Sequence, residues 1–160
     1  MIRSFIFFIA IVFGLAIAFP IVNIIFSDIN TAVQGMDDMP AVGKTSMNTQ
    51  ATSFSTVWDY TFLVTFLAVI AGLIGLAYFL PTNPVVVFAT MIVIVIVGIL
   101  SGFLANAWAA STGGTDQFSA SVASFPIMNF IISYYLHFTV VIGFLILIVF
   151  YAKPNQEGAF

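Results

Sequence analysis

The sequence predicts an all-α integral membrane protein. The expected fold is an up-down bundle of four transmembrane helices, with a short helical extramembrane projection between helices 1 and 2. Three observations lead there. Of 160 residues, 62% are hydrophobic and only 6% charged, whereas a water-soluble domain carries about a quarter charged residues and cannot hide so much apolar surface. The apolar residues fall into four runs of the length a bilayer demands, about 20 residues each. Turn and helix-end residues punctuate the sequence between those runs.

The first run, about 5–26, follows Arg3 and superficially resembles a secretory leader. It is much longer than the apolar centre of such a leader and is read as an uncleaved first span. Pro20 lies inside it and should kink it. The second run, about 58–80, is closed by Pro81. The third, about 84–109, opens on Asn83-Pro84, an N-cap followed by a first-turn proline, and ends before Gly113-Gly114. The fourth, about 126–151, opens on Pro126 and stops at Pro154. The link 81–84 (PTNP) is so short that the second and third spans must be antiparallel neighbours.

The outer loops are about 27–57 and 110–125. In the first, Ile29, Val33 and Met36, then Met47, Ala51, Phe54 and Trp58, recur at helical spacing, so both flanking helices should extend and pair across the turn DDMPAVG. In the second, Asp116 can cap a turn or two carrying Phe118, Val122 and Phe125 on one face, lying at the interface. Arg3 and Lys153 flank the first and last spans, and an even number of spans puts both on one side, while Asp28, Asp37, Asp38 and Asp116 fall on the opposite side with Lys44. The bias of cations toward the inner face then places both termini on the cytoplasmic or particle-interior side.

Stripes of small residues are candidate packing faces: Ala10, Gly14 and Ala18 in the first span, Ala68, Gly72 and Gly75 in the second, and Gly98 and Gly102 in the third. The polar residues at depth form a second pattern. His137, the sole histidine, stands near the middle of the fourth span, with Ser133 and Asn129 one and two turns outward on the same face. Asn23, Thr61, Asn106 and Asn129 each fall about 12 Å outward of their span centres at the helical rise. These residues are read as a buried polar layer that fixes the bundle by hydrogen bonds across helices, or as a pore face. No carboxylate lies near the midplane to pair with His137, since Asp59 is at the outer end of the second span, about 15 Å away by rise.

Several functions are excluded or disfavoured. Three scattered cations cannot form a nucleic-acid surface. With no cysteine, thiol catalysis and thiolate metal sites are absent. DMPAVGKT at 38–45 ends like a phosphate-binding loop but has Asp38 where that loop needs glycine. Asp28, Asp37 and Asp38 lack the alternating ligands of a calcium loop. Ser133 and His137 are spaced to hydrogen-bond, without an orienting acid or oxyanion hole. No cofactor or metal site is expected. Trp58 and Trp108 fit an interfacial belt. The expected role is a non-enzymatic structural or assembly subunit of a larger membrane-associated complex, such as a membrane-containing virion or a secretion or respiratory-type assembly. Its expected partners are lipid and other membrane subunits or copies of itself. The alternative is a small homo-oligomeric channel, transporter component or holin-like pore lined by Asn129, Ser133 and His137.

Overall fold

A computed structural model describes residues 2–79, 83–114 and 116–152. Every regular element among them is helical: α1 (Ile2–Gln34), α2 (Ala41–Phe79), α3 (Pro84–Thr112), α4 (Gln117–Val122), α5 (Pro126–Ser133) and α6 (Tyr135–Ala152). Four helices are long and apolar enough to cross a membrane: α1, α2, α3 and α6. Pro81, Lys153 and Pro154, which the sequence analysis used as boundary signals, lie outside the described residues.

The first two helices run past their apolar spans, as the periodicity of the first outer loop implied. α1 continues through Pro20 without interruption and stops at Gln34, and α2 begins after six intervening residues. The turn between them is closed by a reciprocal clamp. Gln34 Nε2 donates to the Lys44 carbonyl at 2.9 Å, and Lys44 Nζ donates to the Gln34 carbonyl at 3.0 Å. The ammonium thus meets carbonyls that the end of α1 leaves open, where a helix dipole favours positive charge. One turn further along, Asn30 Nδ2 donates to Asn48 Oδ1 at 3.2 Å, and Phe26 stacks on Phe54 at 4.9 Å.

α3 starts as its sequence dictates: Asn83 accepts from the Val85 backbone N–H at 3.0 Å, and Pro84 needs no partner for a missing N–H. Its far end does not use glycine's left-handed conformation. Gly113 stays right-handed (φ −78°, ψ −3°) and donates back to Ala109. Asp116 caps α4 by accepting from Ser119 N at 2.8 Å. This short helix docks its apolar face into the core. Val122 and Phe125 are buried, and Phe118 meets Trp108 edge-on. Ser121 fixes it to α1, donating to the Pro20 carbonyl at 2.9 Å and accepting from Asn23 at 3.0 Å.

The fourth apolar run is two helices. The break falls at Tyr134 (φ −103°, ψ 20°). Its amide still reaches Phe130 at 3.1 Å, and the Phe138 amide reaches Tyr134 at 3.2 Å. The buried positions Met128, Ile132, Tyr135, Thr139, Ile142, Ile146 and Phe150 continue at three- and four-residue steps across it. The break therefore bends the path locally and leaves the inward face in phase.

Large side chains fill the core. An aromatic column runs from Trp58 through Phe19, Phe62, Phe66 and Phe8 to Tyr135, with neighbouring centroids 5.0–6.5 Å apart. Tyr135 is fully buried, and its hydroxyl is the one buried side-chain polar atom without a hydrogen bond among the described residues. A buried hydroxyl without a partner lowers stability. Tyr135→Phe should therefore stabilise the chain by about 1 kcal/mol. A denaturant titration in detergent followed by tryptophan fluorescence measures this, and a destabilised variant would reveal a hydrogen bond formed in solution.

This packing relocates the helix contacts expected at small residues. α1 buries Phe8, Val12, Ala16 and Phe19, while Ala10, Gly14 and Ala18 are exposed. α2 buries Asp59, Phe62, Phe66, Leu73 and Ala77, while Ala68 and Gly72 are exposed and Gly75 half-buried. A Cβ added at Gly14, Gly72, Gly75 or Gly98 would meet nothing within 4 Å, and at Gly102 it would meet only Leu136 at 3.8 Å. The close approach within the chain is instead at Gly143 of α6, where an added Cβ would lie 2.6 Å from Ile94 Cγ2 on α3. The physical reason is volume: the helices leave a space between them that bulky residues must fill. The same α3–α6 contact holds a buried pair, Ser101 Oγ and Thr139 Oγ1, 2.9 Å apart.

Candidate functional site

Two polar features stand out. The first is a buried carboxylate. Asp59 is 3% exposed. Its Oδ2 accepts from the Ile127 amide at 2.9 Å and its Oδ1 from the Met128 amide at 2.7 Å. These are the second and third residues of α5. The first, Pro126, has no amide hydrogen, and the residue at the cap position, Phe125, has no side-chain acceptor. The carboxylate of α2 therefore satisfies both first-turn donors that precede the intrahelical bond from Asn129 to Phe125. A negative charge at a helix N-terminus is also favoured by the dipole. Asp59 acts here as an N-cap supplied from another helix. The sequence offered a signal for it: an acid at the edge of an apolar run, and a proline-led helix whose own cap residue is Phe.

The second feature is the face of Asn129, Ser133 and His137. Trp108 is 4% exposed and donates through Nε1 to Asn129 Oδ1 at 2.9 Å. It is a core residue that positions an amide, not a belt residue. The Ser133 hydroxyl points to the same Asn129 oxygen at a long 3.5 Å, and not to His137. His137 is exposed; its ring lies 5.7 Å from that of Tyr134, and it makes no hydrogen bond among the described residues. The serine–histidine pair that the spacing allowed is therefore not formed. Among the described residues, no three acids or histidines converge on a metal position.

The six residues expected to form one polar layer go to different places. Asn23 and Asn129 are half-buried and bonded to Ser121 and Trp108. Thr61 is exposed and bonds back to the Val57 carbonyl at 2.8 Å. Asn106, Ser133 and His137 are exposed. A single buried layer is thus not assembled inside one chain. Asn23 and Asn129 do bridge helices, and buried bridges come from Asp59, Ser101, Ser121 and Thr139, which the expected layer did not include.

Open grooves also lie on the surface of the described residues. One, of about 600 Å³, separates α1 from α2 between Phe19, Phe26, Phe54 and Trp58. Another, of about 510 Å³, lies between α1 and α3 under Phe118, with Asp116 at its edge. Neither gathers a set of polar groups suited to bond chemistry. No protein-family model, curated protein or solved structure matches the chain.

Proposed function

We propose that this chain is a non-enzymatic multi-pass membrane protein that serves as a structural or assembly subunit of a larger membrane-associated complex. In this reading α1, α2, α3 and α5–α6 cross the bilayer as an up-down bundle with both termini inside. At the helical rise, α1 with 33 residues and α2 with 39 are about 50 and 58 Å long. The hydrocarbon core is about 30 Å thick, so the clamped ends of α1 and α2 project outside as a helical hairpin. Lys44 on that side is engaged at the end of α1, which leaves Arg3 and Lys153 to set the orientation.

The observation that carries the assembly reading is the outward placement of the small-residue stripes. In lipid, helices associate where small residues let backbones approach. Gly14, Gly72, Gly75 and Gly98 offer such faces, and the chain's own helices do not use them. They suit contact with neighbouring subunits. Gly72→Leu should accordingly leave the unfolding of the isolated chain unchanged and lower its recovery in the intact complex. Native mass spectrometry of gently released membrane or particle checks this, with release in fixed ratio to other subunits as the expected result. Recovery of the chain alone and monomeric would sink the reading.

The second reading is a small homo-oligomeric channel, transporter component or holin-like pore. It draws on the exposure of Ser133 and His137, since intramembrane ionisable residues are functional candidates. Conductance in liposomes that is lost with His137→Leu would favour it.

A further inference from the structure

We infer that the exposed face of α5 and α6 bearing Ser133 and His137 is a two-fold seam between two copies of this chain. The inference rests on the membrane insertion proposed above. The indole N–H of Trp108 can only donate, so the Asn129 atom facing it is the carbonyl oxygen. The amide NH₂ is thereby turned away from Trp108, and no acceptor takes it among the described residues. Among the described residues Ser133 makes only its 3.5 Å side-chain contact, and neither nitrogen of His137 is hydrogen-bonded. His137 stands about 16 Å along the helix axis from Pro126 at the helical rise, roughly half the thickness of the hydrocarbon core. Lipid tails offer these groups nothing, and polar groups in hydrocarbon are costly unless partnered.

The identity of the partner follows from symmetry. Copies of one chain inserted by one route share an orientation, so a two-fold axis between them runs along the membrane normal. Such an axis sets each residue against its own counterpart at equal depth. Only side chains that can bond to themselves are satisfied that way. An amide and a hydroxyl each donate and accept, and a neutral imidazole has one donor and one acceptor nitrogen. Every polar group on this face is of that kind. A Lys, Arg, Asp or Glu would repel its own copy, and 117–152 contains none. Buried Asn pairs use the same self-pairing in two-stranded coiled coils.

The apolar residues extend the seam. Phe130, Tyr134, His137, Val141, Phe144 and Ile148 are all exposed and recur at alternating steps of four and three. That repeat keeps one stripe against a parallel helix. The inner half of the stripe, Val141, Phe144 and Ile148, closes any water path, so the face fits a dry contact better than a conduit.

The test uses the full chain in phosphatidylcholine vesicles, with flotation establishing insertion first. The protein has no cysteine, so one introduced thiol reports alone. Tyr134→Cys and Val141→Cys should form disulfide-linked dimers on mild oxidation. Val64→Cys and Val95→Cys, exposed on α2 and α3, should not. In native mass spectrometry His137→Leu should weaken the dimer about threefold to tenfold while circular dichroism stays unchanged. Equal cross-linking at all four positions, a monomeric parent chain, or an undiminished His137→Leu dimer would overturn the seam with insertion intact. So would an ion conductance abolished by His137→Leu, which would make the face a water-filled path. A chain that fails to float with lipid would overturn the membrane reading itself, and the seam with it.

Discussion

Asp59→Ala should destabilise the chain by about 3 kcal/mol, the largest effect expected of any single polar substitution here. The side chain holds two backbone amides, at 2.9 and 2.7 Å, in a site where it is 3% exposed. A hydrogen bond to a charged acceptor contributes about 1.5–3 kcal/mol, and a buried donor left open costs about 1–3 kcal/mol. Alanine removes both acceptors and adds no new contact. The Ile127 and Met128 amides then face apolar neighbours, because Phe125 cannot replace the cap. Asp59→Asn keeps one acceptor oxygen of the two and should cost about half as much. Unfolding by a denaturing detergent, followed through tryptophan fluorescence, measures both. A parent-like Asp59→Ala would mean that the amides of α5 find another partner and that the cap across helices is not formed.

Gly143→Ala is the second large effect, and its cause is steric. The new methyl would lie 2.6 Å from Ile94 Cγ2 and 3.4 Å from Cγ1. Ile is branched at Cβ and holds one χ1 rotamer in a helix, so Cγ2 cannot swing aside. Either α3 and α6 separate, stretching the Ser101–Thr139 contact, or Ile94 leaves its rotamer. Overpacking of this kind costs about 1–3 kcal/mol. The higher helix propensity of Ala over Gly returns up to about 1 kcal/mol. A net loss of about 1–2 kcal/mol is expected. Ile94→Val should not relieve it, because valine retains both Cγ atoms. Ile94→Ala should, and the double variant should be less destabilised than the sum of its singles by about 1 kcal/mol or more. Gly72→Ala is the control, since its Cβ would meet nothing within 4 Å. Equal stability of Gly143→Ala and Gly72→Ala would show that the α3–α6 contact is looser than this geometry.

The boundary chemistry was legible. Asn83-Pro84 and Pro126 mark helix starts, and the periodicity around Ile29 and Phe54 foretold the long pair of α1 and α2. These signals are local: a cap acts on residues two or three positions away, and proline acts on its own turn. The inward faces were not legible. In a soluble helix the apolar stripe identifies the buried side, but here Phe, Ile and Val occupy all sides, so small residues drew attention that belonged to Phe8, Phe62 and Tyr135. The break at Tyr134 has neither Gly nor Pro to announce it. Trp108 looked interfacial because the donor-only indole suits a water boundary, and its partner Asn129 is 21 residues away. The polar residues at depth were identified as a group, but their partners depend on helix rotation, which no spacing within one helix supplies.

The bond from Asp59 to α5 also has an order in time. Ile127 follows Asp59 by 68 residues. At a synthesis rate of about 5–20 residues per second, roughly 3–14 s separate the emergence of the carboxylate from that of the amides it will hold. During that interval α2 carries a charge with no partner at the edge of its apolar run. A membrane boundary, where water is still within reach, is the one place such a segment can wait without penalty. In the membrane reading proposed above, the position of Asp59 at the end of that run and not in its middle would let α2 enter the bilayer before the helix it caps exists. Until α5 and then α6 follow, the chain is held short of its final form.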